Sequence, residues 1–445
     1  MGKPLFIVGN HMSDMKDLSK NRLNEPATVI GLGLLIFMLQ FSFVALVLDT
    51  VGPYNLAGMW ITIPDFAERL NDMASSLERV FTRLNGWDGQ WYFHIAQNGY
   101  SCPSIPAGNN PNVCNVAFFP LVPMLGALVS QLGIDLVYAM PLVSQTAWLS
   151  TIMLLLFFVR SVMPLQLVHI LVILLLVSYP GALYGFVSYS ESLLTCLMLS
   201  VTVVAYSYLT QPRAGLLWLL ALLGALSCLT KVSGVVVLGI PVLMALLHPN
   251  YHGKWFSTHQ VKVYLASVAG LGGLLLFFVY CQLTFNDWAL YFRYVGSSWG
   301  GGEVSGLRYN PLSVFANFTW HQHIPVRISN LVIVTLPAAI LLLFVAMIRR
   351  RPQLYFLFIP VMIVVAFLYY FYSTLGNFDR RNYDIARQML PVVAFMTLLA
   401  MLWIKPSQHR GRLSLLVVAL LTVIALQFYA QFHMLDALTV GGWVS

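Results

Sequence analysis

Runs of about twenty apolar residues recur along almost the whole chain, and each is long enough to cross a hydrocarbon core about 30 Å thick as a helix. Hydrophobic residues make up 59% of the sequence and charged residues 9%, so a water-soluble fold would have too little polar surface. The sequence therefore predicts an all-α polytopic membrane protein. The runs lie at 29–48, 116–133, 139–159, 165–183, 190–209, 214–230, 232–247, 264–283, 330–348, 354–372, 388–404 and 413–433.

No long polar segment interrupts these runs, so we expect residues 1–445 to form a single membrane-embedded unit. The N-terminal region lacks the pattern of a cleaved signal peptide, because its first apolar run follows a polar segment and is long enough to remain as a span.

Clusters of Lys and Arg between the runs predict the orientation in the membrane, since such loops stay cytoplasmic. The formal charge of +8 then reflects topology and attraction to membrane lipids, and we expect no nucleic-acid partner. The N-terminus is expected in the cytoplasm, and the loops 49–115, 284–329 and 373–387 outside it. The cationic clusters are Lys16, Lys20 and Arg22; Lys254 and Lys262; Arg349, Arg350 and Arg351; and Lys405, Arg410 and Arg412.

This orientation requires an odd number of crossings between outer residue 115 and the cytoplasmic loop at 248, although six runs lie between them. We therefore expect that one of the runs 116–133, 139–159 and 165–183 does not span. The prediction is a bundle of about 11 transmembrane helices in which Glu191, Lys231 and the C-terminus face outward.

The first outer loop contains a predicted amphipathic helix at 64–84, which should lie along the membrane surface. Its carboxylates are interpreted as a solvated face. The apolar stripe is Phe66, Leu70, Met73, Leu77, Val80 and Leu84, and the charged residues are Asp65, Glu68, Arg69, Asp72, Glu78, Arg79 and Arg83. Cys102 and Cys114 follow in the same loop, and they either form a disulfide in an oxidising compartment or remain unpaired thiols.

A single carboxylate, Asp88, stands among aromatic residues in the segment 87–96 (WDGQWYFHIA). Aromatic belts at membrane interfaces explain the Trp and Tyr residues but not the acid. Asp88 is a candidate general base or, equally well from the sequence, a helix cap. Aromatic faces can stack on sugar rings.

The segment 87–100, followed by 117–123 (AFFPLVP), resembles the signature of the PIG-V family. Residues 189–194 (YSESLL) resemble a second motif of that family, and 230–234 (TKVSG) resembles its Thr-Arg-x-x-Gly element with Lys in place of Arg. Trp299 and Arg387 with Pro391 are weaker matches. The eukaryotic members are the second mannosyltransferases of glycosylphosphatidylinositol synthesis, and we expect a prokaryotic relative.

The resemblance implies a GT-C-type inverting glycosyltransferase with Asp88 as its base. It would move a sugar, mannose in the eukaryotic members, from a polyprenyl-phosphate carrier to a lipid or glycan acceptor. The reaction would occur on the extracytoplasmic face of a bacterial plasma membrane, or of the endoplasmic reticulum in a eukaryote. No cofactor or metal ion is expected.

Such a transfer needs cations for the departing phosphate, and the candidates on the predicted outer face are Lys231, Arg380, Arg381 and Arg387. Arg387 is the first choice, whereas Arg380 and Arg381 are as readily explained by contact with lipid headgroups. Glu191 would bind acceptor hydroxyls or orient a cation, or it caps its helix. The remaining candidates for substrate binding are Trp87, Trp91, Tyr92, Tyr100, Tyr189 and Trp299.

His94 is a candidate for hydrogen bonding to donor or acceptor, although a structural role is equally consistent, and it lacks the companions of a metal site. The main alternative function is a transporter or flippase of lipid-linked glycans. Transporters commonly contain internal repeats with broken helices, and no convincing repeat relates the two halves of this sequence.

Overall fold

The computed structural model describes residues 23, 25–50, 76–102, 114–251, 256–298, 324–350, 354–375, 385–404 and 410–439. The structure is 85% helix, and the described residues contain no strand, so the predicted all-α class is confirmed.

Eighteen α-helices are described. The first nine are α1 (Pro26–Thr50), α2 (Ser76–Leu84), α3 (Asp88–Asn98), α4 (Leu121–Ser130), α5 (Leu136–Val162), α6 (Leu167–Ser178), α7 (Ser190–Thr210), α8 (Ala214–Thr230) and α9 (Gly234–Val237). The others are α10 (Gly239–Leu247), α11 (Thr258–Gly270), α12 (Gly272–Phe285), α13 (Leu290–Ser298), α14 (Ile324–Arg350), α15 (Tyr355–Leu375), α16 (Ile385–Gln388), α17 (Leu390–Trp403) and α18 (Arg410–Thr439). Short 3₁₀ helices occupy Pro180–Gly185 and Pro249–Tyr251.

Four helical segments within the described residues are long and apolar enough to cross a membrane: α1, α5, α7 and the continuous pair of α11 and α12. Shorter apolar helices coincide with seven of the other predicted runs, and the run 413–433 lies within α18. These long apolar helices indicate an integral membrane protein. The count of about 11 spans, the GT-C-type bundle and the orientation stay predictions.

Two of the three runs from which one non-spanning segment was expected form short helices. The ten residues of α4 and the twelve of α6 give lengths of about 15 Å and 18 Å at 1.5 Å per residue, well below the thickness of a hydrocarbon core. Only α5 among the three is long enough to cross by itself.

The chain leaves α-helical geometry after α6 in a fully buried segment, where residues 176–192 are all inaccessible. Glutamines from two distant helices bind the carbonyls that this break exposes. Gln40 and Gln431 each donate to the Val177 carbonyl at 2.7 Å, and Gln431 also donates to the Tyr179 carbonyl at 2.6 Å. Because protein groups satisfy these carbonyls, an irregular backbone is tolerated among apolar helices.

The predicted surface helix differs from expectation in its described part, residues 76–84. Leu77, assigned to the apolar stripe, is 57% exposed, whereas Arg83, placed on a charged face outside that stripe, is buried. The reason is that α2 packs against the end of α1, where Arg83 donates to the carbonyl of Leu48 and Arg79 pairs with Asp49 at 3.0 Å. The charged face of this helix is therefore partly buried against α1 rather than lying wholly at the membrane surface. Residues 64–75 lie outside the described residues.

The disulfide Cys102–Cys114, Asp287 and α13 pack beside the segment that precedes α4, and we call this group the outer cap after its place in the predicted outer loops. The disulfide decides between the two alternatives that the sequence left open. Helix α13 packs on it, since the Cys114 amide donates to the Tyr294 hydroxyl at 3.3 Å and the Tyr291 ring meets Phe119 edge-on.

Candidate active site

Four charged side chains that are far apart in the sequence meet in one network, which we call the charge quartet: Asp88, Glu191, Lys231 and Arg387. Arg387 Nη1 lies 2.5 Å from Asp88 Oδ2, and its Nε lies 3.3 Å from Glu191 Oε1. The same Glu191 oxygen is 3.0 Å from Lys231 Nζ. Acids and bases thus alternate along the network, and its formal charges balance.

Burial divides the quartet into an inner pair and two outer groups. The side chains of Glu191 and Arg387 are 4% and 9% exposed, whereas those of Asp88 and Lys231 are 26% and 22% exposed. A buried carboxylate is costly unless it is well paired. Glu191 meets this requirement by binding two cations, while the outer groups remain accessible to other partners.

Asp88 is presented by a turn with unusual backbone geometry at Trp87. Trp87 has φ 56° and ψ −125°, and the Gly89 amide donates to the Gly86 carbonyl at 3.0 Å. These values fit the second position of a type II′ turn, which normally requires glycine. A bulky residue there costs about 1–3 kcal/mol and is a feature of functional sites.

The turn bears on one of the two interpretations of Asp88, that of a helix cap. Trp87 is the N-cap of α3 and Asp88 its first helical residue. The Asp88 carboxylate pairs with Arg387, and its amide donates to the Tyr189 hydroxyl at 3.1 Å. Asp88 is therefore not the helix cap that one interpretation of the sequence suggested.

Arg387 is held by the irregular segment that follows α6. The preceding residue, Ala386, accepts a 2.8 Å hydrogen bond from the Tyr179 hydroxyl through its carbonyl. Gly181 packs so closely on that carbonyl that a Cβ there would lie only 2.1 Å from the oxygen. The guanidinium carbon lies 4.9 Å from the centre of the Tyr189 ring and 5.9 Å from that of Tyr184, which supports the cation through its aromatic faces.

Lys231 follows directly after α8, and a close backbone contact fixes its position. The Gly234 amide donates to the Lys231 carbonyl at 2.8 Å. A Cβ on Gly234 would lie 1.9 Å from the Ser227 carbonyl oxygen, so no other residue fits without a shift of the backbone. The Lys-x-x-Gly spacing is thereby explained as a tight reversal after α8 that aims Lys231 at Glu191.

Glu191 lies in the first turn of α7, where the helix dipole favours an acid. Its carboxylate binds cations and is almost fully buried. Of the roles considered from the sequence, this geometry favours orienting a cation over binding acceptor hydroxyls.

The aromatic candidates divide by exposure. The Trp91 ring stacks on Phe118 at 5.6 Å, and both Trp87 and Trp91 are partly exposed. Tyr92 and Tyr189 are buried beside the quartet. Burial raises the pKa of the Tyr92 phenol above its ordinary value, so Tyr92 stays a neutral hydrogen-bonding group, and its hydroxyl contacts Ser190.

Two further candidates have contacts that suit structural roles. The Tyr100 hydroxyl donates to the Phe118 carbonyl at 2.6 Å. His94 Nδ1 lies 3.5 Å from the Asn115 side-chain amide, which also donates to the carbonyl of Gly99. Both residues therefore brace the loop before α4.

Three candidates, Trp299, Arg380 and Arg381, lie outside the described residues. Within the described part of the chain, no group of three or more His, Cys, Asp or Glu residues is placed to hold a metal ion. That no metal or cofactor takes part stays a prediction.

Sequence reasoning missed a buried polar brace behind Asp88 and Tyr189. Asn85 donates to the carbonyls of Phe81 and Val137 at 2.9 and 2.8 Å, and it accepts from Ser188 Oγ at 2.7 Å. Ser144 Oγ donates to the Tyr189 carbonyl at 3.1 Å. The only signal in the sequence is an Asn-Gly pair before Trp87, which predicts a turn but none of these long-range partners.

In comparisons with known proteins, no family model and no curated protein matches this chain, so the resemblance to the PIG-V family rests on the sequence motifs alone.

Proposed function

We propose that this protein is an inverting glycosyltransferase, specifically a mannosyltransferase, that moves a sugar from a polyprenyl phosphate to a lipid-linked or glycan acceptor. The observation that carries the proposal is the charge quartet. It combines an accessible carboxylate, Asp88, with two cations that lie within 3.3 Å of one Glu191 oxygen.

The carboxylate supplies the base that the reaction needs. The acceptor oxygen attacks the anomeric carbon from the face opposite the phosphate, and the proton of the acceptor hydroxyl passes to Asp88. The bond between the anomeric carbon and the phosphate oxygen breaks, and its electron pair stays on the departing polyprenyl phosphate. The partly exposed Trp87 and Trp91 beside Asp88 are suited to stacking on the sugar ring.

The two cations suit the leaving group. A phosphodiester with one negative charge becomes a monoester with nearly two, so cations aimed at it stabilise the transition state more than the ground state. Arg387 and Lys231 converge on Glu191, which keeps them close together before any phosphate arrives. Arg387 offers a planar fork and Lys231 a point charge, so we expect Arg387 to contribute more.

The expected partners are a polyprenyl-phosphate sugar, a lipid or glycan acceptor and the surrounding membrane lipids, with no nucleic acid and no resident cofactor. The site would face the extracytoplasmic side of a bacterial plasma membrane. Nucleotide sugars are not available there, so a lipid-bound donor suits that side.

The test is to incubate the purified protein with a panel of polyprenyl-phosphate sugars and lipid acceptors, and to identify products by mass spectrometry. We expect one sugar to be transferred with inversion, and Asp88→Asn to abolish transfer while the protein remains folded. Asp287→Asn is the matched control, because Asp287 also pairs with an arginine, Arg293, outside the quartet. Wild-type turnover by Asp88→Asn would overturn the proposal.

The transporter or flippase remains the alternative, because mixed acidic and basic pairs inside a membrane protein also occur on transport pathways. Here the quartet residues lie at helix ends: Asp88 begins α3, Glu191 is second in α7 and Lys231 follows α8. Reconstituted vesicles discriminate the two functions, since a flippase moves labelled glycolipid across the bilayer without changing its mass.

A further inference from the structure

We propose that Arg387 acts as a latch on Asp88, so that a donor phosphate must draw the guanidinium away before the carboxylate can serve as the base. This inference rests on the proposed function and adds an order of events to it. The donor binds first, and only then does Asp88 become able to take the proton of the acceptor.

The latch is the direct contact between the two residues. Arg387 Nη1 lies 2.5 Å from Asp88 Oδ2, in direct contact, and hydrogen bonds between ionised partners are stronger than neutral ones. An incoming hydroxyl therefore competes with a guanidinium for that oxygen. A phosphate can compete for the same guanidinium, because guanidinium forks bind both phosphate and carboxylate oxygens.

The two carboxylates that bind Arg387 differ in how costly it is for them to lose it. Glu191 is 4% exposed and binds two cations, so separating it from Arg387 would leave a buried charge without part of its compensation. Asp88 is 26% exposed, and surrounding water or an acceptor hydroxyl can replace the cation. The contact with Asp88 is consequently the one that yields.

The surroundings of Arg387 allow the exchange without moving the backbone. Its Nε faces Glu191, and its guanidinium carbon lies 4.9 Å from the Tyr189 ring centre, so the group can turn against this ring while Nη1 changes partners. The Tyr189 hydroxyl meanwhile accepts from the Asp88 amide at 3.1 Å. Tyr189 therefore holds the backbone of Asp88 in place while the Asp88 carboxylate separates from Arg387.

The consequence is an order of events in which the base becomes available only after the donor has bound. Without phosphate at Arg387, Asp88 is occupied and activates neither water nor an acceptor. Once phosphate is bound, the Arg387 guanidinium lies against the leaving group. The Asp88 carboxylate becomes available as the base at the same moment. One exchange thus prepares both halves of the reaction.

The test uses a hydrophobic carbodiimide, which modifies carboxyl groups in apolar surroundings, with the modified residue mapped by peptide mass spectrometry. The probe is polyprenyl monophosphate, which carries the phosphate but no sugar, so no transfer takes place. We expect Asp88 to be modified slowly in the protein without added lipid, and several-fold faster when polyprenyl phosphate is present. Neutral polyprenol controls for the lipid chain, and Asp287, paired with Arg293, is the internal control carboxylate.

Two variants sharpen the test. Arg387→Ala should make Asp88 react rapidly whether or not polyprenyl phosphate is present, and Arg387→Lys, which is less disruptive, should react at an intermediate rate. Binding of polyprenyl phosphate is measured separately by native mass spectrometry. Binding without any change in Asp88 modification overturns the latch alone, whereas absence of binding overturns the proposed function and the latch with it.

Discussion

The charge quartet and the outer cap each contain an aspartate paired with an arginine, but the two pairs differ in almost every other respect. In the outer cap, Arg293 is 63% exposed, and it pairs with Asp287 beside a disulfide and aromatic packing. In the quartet, Arg387 is 9% exposed and pairs with two carboxylates. Exposed pairs contribute little to stability, whereas a buried pair strongly penalises the loss of one partner. The cap is therefore held by covalent and apolar contacts, and the quartet by electrostatics.

Glu191→Gln should have the largest effect, because it leaves Lys231 and Arg387 without their shared anion. Removing one partner of a buried pair costs about 3–5 kcal/mol, so we expect a markedly lower midpoint of thermal unfolding in detergent and a loss of transfer. Asp287→Asn in the outer cap is the control and should change the midpoint little. Equal effects of both substitutions would remove the distinction between the regions.

Removing the disulfide tests the opposite region. The double change Cys102→Ser and Cys114→Ser should lower the free energy of unfolding by about 2–4 kcal/mol, because the unfolded chain is no longer cross-linked. Turnover of the protein that remains folded should be unchanged. Cys196→Ser, at a free cysteine, is the control. A large fall in turnover at full folding would show that the cap takes part in the chemistry.

Gly181→Ala tests the backbone packing that positions Arg387, without changing a residue of the quartet. The added methyl group meets the Ala386 carbonyl, and such overpacking costs about 1–3 kcal/mol. We expect a higher KM for the polyprenyl-phosphate donor, since Arg387 shifts. Gly215→Ala, where nothing lies within 4 Å of the new carbon, should have wild-type kinetics. An unchanged donor KM in Gly181→Ala would separate Arg387 from donor binding.

The smallest expected effect concerns the strained turn before Asp88. Trp87→Gly and Trp87→Ala both remove the ring, but only glycine adopts φ 56° without strain. We expect the glycine variant to be more stable than the alanine variant by about 1 kcal/mol, while both bind the donor less tightly. Thermal unfolding and donor titration measure the two effects. Equal stability of the variants would contradict the strain at this position.

The candidate site could be predicted residue by residue but not as an assembly. Asp88, Glu191, Lys231 and Arg387 each stand out in the sequence, because ionisable groups near apolar runs are costly and tend to be functional. Their pairing depends on contacts such as Asp88 with Arg387, which are 299 residues apart. The close packing at Gly181 and the long-range hydrogen bonds of Asn85 could not be predicted in this way, since a glycine or an asparagine in a turn predicts local geometry only.

The sequence by itself determined that this chain is helical and membrane-embedded, because about twenty apolar residues in a row must satisfy their backbone hydrogen bonds internally. Tertiary structure alone decided that Arg83 is buried, that Cys102 and Cys114 are paired, and that four charges share one network. The physical reason is that the two kinds of interaction differ in how far apart along the sequence their partners lie. Helix formation depends on neighbours within a few residues, whereas compensation of a buried charge depends on whichever distant helix brings its counter-ion within about 4 Å.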